Sequence, residues 1–172
     1  METLYRVTQA LDPTRPVIDS SGYVHVQTDI YDVHDYDQNV ETFAARYRPL
    51  AQGKCVNVSH GLERNAPHTG QPFYVSEYGG IWWNPGQEAD RESWGYGGVG
   101  GRPRNQQEYL ARYRGLSEAL LQNPGVCGFC YTQLYDVEQE VNGLCTYDRQ
   151  PKFDPSLIRA INDQQAAIEN DR

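Results

Sequence analysis

The stretch PFYVSEYGG, residues 72–80, decides the interpretation of the fold. Its apolar run over 72–75 is typical of a buried strand, and a single carboxylate, Glu77, follows that run. The chain then turns at Gly79 and Gly80. A strand that ends in a carboxylate and a turn predicts that Glu77 is held rigidly at one edge of a sheet. A glutamate in this position also caps helices or pairs with arginine in many proteins, so its role stays open at this stage.

Outward from this strand, the chain alternates segments with helical and strand patterns. The predicted strands cover 17–19, 29–36, 72–77 and 126–133, and the predicted helices cover 2–11, 39–52, a segment from 105 to just before Pro124, and a segment from about Pro155. Asn39 is a candidate N-cap, and Asn105 opens a second capping pattern. This alternation predicts an α/β layer structure.

The order of these elements matches four consecutive strands of a (β/α) barrel, so we predict one domain over residues 1–172. A doubly wound sheet gives a similar alternation. That fold more often carries a glycine-rich phosphate loop after its first strand, and the sequence has none there.

Polar residues follow each predicted strand, where the active sites of barrels lie. They are Asp19 and Ser20, His34 and Tyr36, Glu77, and the segment Tyr131 to Gln133. His34 and Tyr36 are two residues apart and therefore share one face of their strand. A tyrosine hydroxyl beside a carboxylate can donate a hydrogen bond that keeps the carboxylate ionised. A pair of aromatic residues at the rim of the core would show the same spacing.

Aromatic residues with a polar tip are unusually frequent, since the chain has 13 Tyr and 3 Trp but only 4 Phe. Trp82, Trp83, Trp94 and Tyr96 all fall within a glycine-rich loop over 79–104. Tryptophan faces stack on sugar rings, which favours a carbohydrate site. The same residues could equally hold a glycine-rich loop in place.

Charge and hydropathy exclude several classes of partner. The net charge of −8 argues against nucleic acid and anionic membranes, and no apolar stretch is long enough to span a bilayer. No apolar run follows Met1, which predicts a cytoplasmic protein if the chain begins there. His25, His34, His60 and His68 lack the spacing of metal ligands, so we predict neither a metal nor a cofactor.

Cys127 and Cys130 have the C-x-x-C spacing that also occurs in metal and redox sites. They fall within the predicted strand 126–133, where residues three apart face opposite sides, so their thiols would diverge. We therefore predict reduced cysteines in the core.

Taken in order, several motifs resemble the C-terminal half of the catalytic barrel of glycoside hydrolase family 2, the β-galactosidase and β-glucuronidase family. The matching stretches are LYRVTQALDPTRPVIDSSG (4–22), TDIYDVHDYDQ (28–38), PFYVSEYGGIWWNP (72–85), SWGYG (93–97), YRGLSEALLQNPGVCGFCYTQLYDVEQEVNGL (113–144) and TYDRQPKFD (146–154). This resemblance implies the last four βα units of the barrel, strands 5 to 8, and the hydrolysis of β-glycosides.

The resemblance also implies roles for single residues. Glu77 matches the catalytic nucleophile at the end of the seventh strand, and Tyr36 matches a tyrosine that hydrogen-bonds this nucleophile. The implied substrate contacts are His34, Trp83, Trp94, and Tyr131 or Gln133, which stand near a tryptophan of the family.

The acid/base glutamate of the family, part of an Asn-Glu pair that ends the fourth strand, has no counterpart in this sequence. Asp19 and Asp32 are the nearest substitutes, and neither has the position that the family uses. The resemblance therefore implies the nucleophile half of a retaining glycosidase, whose partner would be a completing N-terminal half or a second copy. A non-catalytic carbohydrate-binding or assembly fragment, and an unrelated α/β scaffold, are the alternatives.

Overall fold

A computed structural model describes residues 1–58, 65–86, 92–97 and 101–170. Its three strands, β1 (Tyr31–Asp35), β2 (Phe73–Gly79) and β3 (Val126–Thr132), form one parallel sheet in the order β1-β2-β3. The α-helices of the described ranges are α1 (Glu2–Leu11), α2 (Val40–Tyr47), α3 (Gln106–Leu121) and α4 (Pro155–Asn162). The predicted α/β alternation is therefore confirmed for three of the four strands.

Asparagine side chains begin both crossover helices, as their positions in the sequence predict. The Asn39 side chain accepts hydrogen bonds from the backbone N–H groups of Glu41 and Thr42, and Asn105 accepts one from Glu108. These contacts satisfy N–H groups that have no partner within the helix. Both predicted N-caps are confirmed.

Helices α2 and α3 connect successive parallel strands and pack against the sheet. The buried side chains of this layer are aromatic and aliphatic, and include Tyr31, Val33, Phe43, Tyr47, Phe73, Val75, Tyr78, Tyr109, Tyr113, Leu116 and Leu120. Buried hydroxyls find partners, since Tyr47 donates to Asp35 at 2.7 Å and Tyr78 pairs with Ser117 at 2.8 Å. This core fixes the relative positions of the strand ends.

The strand predicted at 17–19 is wrong. Val17 forms its backbone hydrogen bonds with Asp29, which donates to the Val17 carbonyl at 2.9 Å and accepts from the Val17 N–H through its carboxylate at 2.8 Å. These bonds hold the segment in a loop beside the start of β1 and leave it without a sheet ladder. The sheet of the described residues therefore has three strands.

The cysteines predicted to lie in the core are exposed on β3 instead. Cys127 and Cys130 are free thiols, and so is exposed Cys55. Strand β3 is the last strand of the sheet, and no further strand of the described residues pairs with its outer edge. The prediction that they are reduced agrees with the structure, and the prediction that they are buried does not.

Helix α1 turns an apolar stripe outward. Leu4 is 70% exposed, Val7 is 49% exposed and Leu11 is 82% exposed, whereas Tyr5 is buried and donates its hydroxyl to Asp29. The stripe therefore forms an apolar surface of this chain.

None of the helices in the described ranges is long and apolar enough to cross a membrane. The described residues bring together no group of three or more His, Cys, Asp or Glu side chains that could hold a metal ion. His60 and parts of the predicted glycine-rich loop (87–91 and 98–100) lie outside the described residues.

Candidate active site

The C-terminal ends of β1 and β2 place His34 beside Glu77. The two residues are register partners in the parallel ladder, after an irregularity between Val33 and His34. The Nε2 atom of His34 lies 3.5 Å from the Oε1 atom of Glu77. The His34 side chain is 6% exposed while that of Glu77 is 37% exposed, so the carboxylate remains accessible from outside.

Tyr36 follows β1 and donates its hydroxyl to the Oε2 atom of Glu77. Burial of the hydroxyl, the hydrogen bond to Glu77 and the charge of Glu77 raise the pKa of Tyr36 far above its ordinary value. The hydroxyl therefore stays protonated and remains a donor at neutral pH. Tyr36 and His34 together contact both oxygens of the carboxylate.

Residues 21–23, which directly follow the predicted site residues Asp19 and Ser20, support His34. Ser21 Oγ lies 3.0 Å from His34 Nε2, and the Gly22 carbonyl accepts from the His34 N–H at 3.3 Å. The Tyr23 ring packs edge-on against the imidazole, with centroids 5.1 Å apart. The residues Ser-Ser-Gly were visible in the sequence, but only the folded chain shows which serine reaches His34.

Asp19 and Asp32, the two substitutes for a second catalytic carboxyl, are buried structural groups. Their side chains are at most 1% exposed, and His25 lies between them, 2.7 Å from Asp19 and 3.3 Å from Asp32. Asp19 also accepts from the N–H groups of Val26 and Gln27. Burial favours a higher pKa for Asp19, but the hydrogen bond from His25 and these two backbone bonds outweigh it and lower the pKa. Both carboxylates therefore brace the loop before β1 and cannot reach a substrate.

Trp83 lies in the core, which corrects its assignment as a substrate contact. It is 6% exposed, and its ring stacks on Phe153 with centroids 5.2 Å apart. Its carbonyl accepts from the buried ammonium of Lys152 at 2.8 Å, and Lys152 also pairs with Asp136 at 2.7 Å. These contacts use Trp83 to anchor the loop after β2.

Tyr131 also has a role within the protein. Its hydroxyl accepts from Ile81 N–H at 3.2 Å, donates to the Asn142 carbonyl at 3.1 Å and pairs with the Tyr109 hydroxyl at 2.6 Å. A Cβ on Gly79 would lie 2.3 Å from the Tyr131 ring, so the ring packs directly on the backbone of β2. A hydroxyl with these three contacts is occupied by the protein, which argues against Tyr131 as a substrate contact.

Gln133, the alternative to Tyr131, follows β3 and has a different environment. Its Nε2 group is buried and makes no hydrogen bond to any described residue. A buried donor without a partner costs free energy, so this amide is the stronger candidate for a polar substrate contact.

Trp94 keeps an exposed indole, 46% of its surface being accessible. It packs edge-on against Tyr96 with centroids 5.8 Å apart, and its backbone bridges to that of Glu140. Tyr96 in turn stacks on Tyr36. Sequence reasoning placed Tyr96 in the loop but missed this contact.

No protein-family model matches the chain, and no curated protein matches its sequence. Solved structures do resemble it. A glycoside hydrolase family 2 β-galacturonidase from Eisenbergiella tayi, bound to glycerol, superposes with a TM-score of 0.65 at 17% identity, over 96% of this chain and 30% of that chain. A Bifidobacterium dentium β-glucuronidase complexed with coumarin-3-O-glucuronide superposes with a TM-score of 0.59 at 19% identity, over 95% of this chain and 27% of that chain. A Faecalibacterium prausnitzii β-glucuronidase superposes with a TM-score of 0.58 at 18% identity, over 96% of this chain and 28% of that chain.

The chain thus spans less than a third of the length of these enzymes. Nearly all of it superposes on them, so its parallel α/β arrangement is that of one part of a glycoside hydrolase family 2 structure.

Proposed function

We propose that this chain is the nucleophile half of a retaining β-glycosidase of glycoside hydrolase family 2, with Glu77 as the nucleophile. The observation that carries the proposal is the environment of Glu77, a partly exposed carboxylate with Tyr36 and His34 against its two oxygens. The likeness to enzymes named β-galacturonidase and β-glucuronidase supports glycoside hydrolysis as the reaction. In that fold the chain would form the last four βα units of a (β/α)8 barrel.

In the proposed mechanism Glu77 attacks the anomeric carbon of a β-glycoside. A carboxylate oxygen forms an ester bond to that carbon, while the bond to the leaving-group oxygen breaks and its electron pair goes to that oxygen. The Tyr36 hydroxyl holds the attacking group in one orientation. Water then cleaves the ester and releases the sugar with its original configuration.

Retaining enzymes need a second carboxyl group about 5–5.5 Å from the nucleophile, to protonate the leaving group and then activate water. Asp19 and Asp32 are buried and cannot supply it. We propose that a completing segment, the N-terminal half of the barrel, supplies this group. The outer edge of β3 and the exposed apolar stripe of α1 are the surfaces that such a segment would cover. Without it the same surfaces favour self-association.

The experiment uses a reagent that does not need the second carboxyl group. In a 2-deoxy-2-fluoro-β-glycosyl fluoride, the fluoride leaves with its electron pair and needs no proton, whereas the fluorine at C2 slows hydrolysis of the ester. The folded chain is incubated with the galacto, gluco, manno, glucurono and galacturono reagents, and the modified peptide is mapped by mass spectrometry. We expect one sugar to label Glu77.

Two variants serve as controls. Glu77→Gln should abolish labelling, and Glu118→Gln, which changes a carboxylate on α3 that pairs with Arg114, should leave labelling intact. Labelling of another residue, or of none by any reagent, would refute the assignment. A chain that binds a sugar, as detected by NMR, without being labelled would be the alternative carbohydrate-binding fragment.

A further inference from the structure

We propose that Tyr96 is a positioning residue for Glu77 and acts through Tyr36. This inference rests on the proposed function, since it gives Tyr96 a role in holding the nucleophile. Its starting point is the contact between the two tyrosine rings, whose centroids are 3.6 Å apart and whose planes differ by 3°.

Tyr36 needs such support because the sheet does not hold it. Strand β1 ends at Asp35, so Tyr36 lies just beyond the parallel ladder. Its contact with the His34 ring is looser, with centroids 6.3 Å apart. The face-to-face contact with Tyr96 therefore restricts the plane of the Tyr36 ring, and with it the direction in which the hydroxyl points.

Tyr96 is itself tied to the residues that directly follow the strand of Glu77. Its N–H donates to the Gly80 carbonyl at 2.9 Å, and its backbone bridges to Ile81. A Cβ on Gly80 would lie 2.4 Å from the Tyr96 ring and 3.2 Å from the Tyr36 ring, so this glycine lets both rings pack on the backbone. The ring that positions the donor is thus held within four residues of the nucleophile along the chain.

The test measures the rate of Glu77 labelling by the reactive fluoroglycoside, separated into the maximal rate and the half-saturating concentration. Tyr96→Leu removes the ring and the hydroxyl, and should lower the maximal rate about 10-fold or more while the half-saturating concentration stays within about 3-fold. Tyr96→Phe keeps the stack and should lower the rate less. Tyr147→Leu, at a tyrosine that is 59% exposed, is the control and should change neither value.

A double-mutant cycle distinguishes positioning from a general loss of structure. If the Tyr96 ring acts through the hydroxyl of Tyr36, Tyr96→Leu should have no further effect in a Tyr36→Phe chain. Additive effects, or unchanged rates in both Tyr96 variants, would overturn the inference and leave the proposed function standing. If the unsubstituted chain is not labelled, the proposed function fails and the inference is judged by NMR. Tyr96→Leu should then speed the ring flips of Tyr36, and an unchanged flip rate would overturn it.

Discussion

Replacing Gly22 by alanine should displace His34 from Glu77 and weaken the fold. Gly22 has a φ of +70°, and a Cβ there would lie 1.9 Å from Cδ2 and 2.5 Å from Nε2 of the His34 ring. Two carbon atoms in contact need roughly 3.5 Å, so the ring would have to move by about 1.6 Å. That movement breaks the contact with Ser21 at 3.0 Å and changes the approach to Glu77 at 3.5 Å.

The expected cost combines three effects. A non-glycine residue in the left-handed region costs about 1 kcal/mol, and the lost hydrogen bond to Ser21 costs about 1 kcal/mol more. Overpacking a buried ring adds about 1–3 kcal/mol. We therefore expect Gly22→Ala to lower the free energy of unfolding by about 3–5 kcal/mol, as measured by urea denaturation with tryptophan fluorescence.

Gly53→Ala is a matched control for the backbone effect. Gly53 has nearly the same φ, +68°, but a Cβ there would meet nothing within 4 Å, so only the cost of about 1 kcal/mol applies. In a His34→Ala chain, Gly22→Ala should cost no more than Gly53→Ala, because the clash is gone. If Gly22→Ala and Gly53→Ala destabilise the unsubstituted chain equally, the proposed packing of His34 on Gly22 is wrong.

Two further predictions concern stability. Lys152→Met should lower the free energy of unfolding by about 3–5 kcal/mol, because it leaves the buried Asp136 carboxylate without the ammonium 2.7 Å away. Adding Asp136→Asn should restore much of that loss. Equal denaturation midpoints for Lys152→Met and the unsubstituted chain would contradict this prediction. The hydrogen bond from Tyr5 and weaker bonds lower the pKa of Asp29 in the folded chain. The carboxylate therefore stabilises the fold above its unfolded pKa of about 3.9, and this stabilisation is lost as the pH falls through the lower pKa of the folded state. Asp29→Asn should flatten that part of a stability–pH curve, and parallel curves for the two chains would count against it.

Local signals in the sequence were sufficient for most of the fold. The apolar period and the capping asparagines, Asn39 and Asn105, depend on neighbours within a few residues, and the structure has both helices where they predict them. The segment 17–19 has a strand-like composition, but its hydrogen bonds go to Asp29, a residue that only the folded chain brings close. Exposure of Cys127 and Cys130 likewise depends on which strand ends the sheet, a property that no short window encodes.

In the candidate site, too, some contacts follow from local sequence and others depend on residues that only the folded chain brings close. Residues at the ends of adjacent parallel strands must lie close together, so the sequence could predict that His34 and Tyr36 meet Glu77. Trp83 and Trp94 lie in the same loop and look equivalent in the sequence. Only the approach of Phe153, from much later in the chain, buries one of them.

The environment of Glu77 differs from that of either structural role that the sequence leaves open for it. A glutamate that caps a helix accepts backbone N–H groups, and one that pairs with arginine faces a guanidinium. Among the described residues the contacts of Glu77 are instead an aromatic hydroxyl and an imidazole, both from the end of the neighbouring strand. Each of those groups is braced in turn, Tyr36 by the Tyr96 ring and His34 by Ser21. A carboxylate whose neighbours are fixed while it stays 37% exposed is suited to meet an incoming ligand, and adds little to the core.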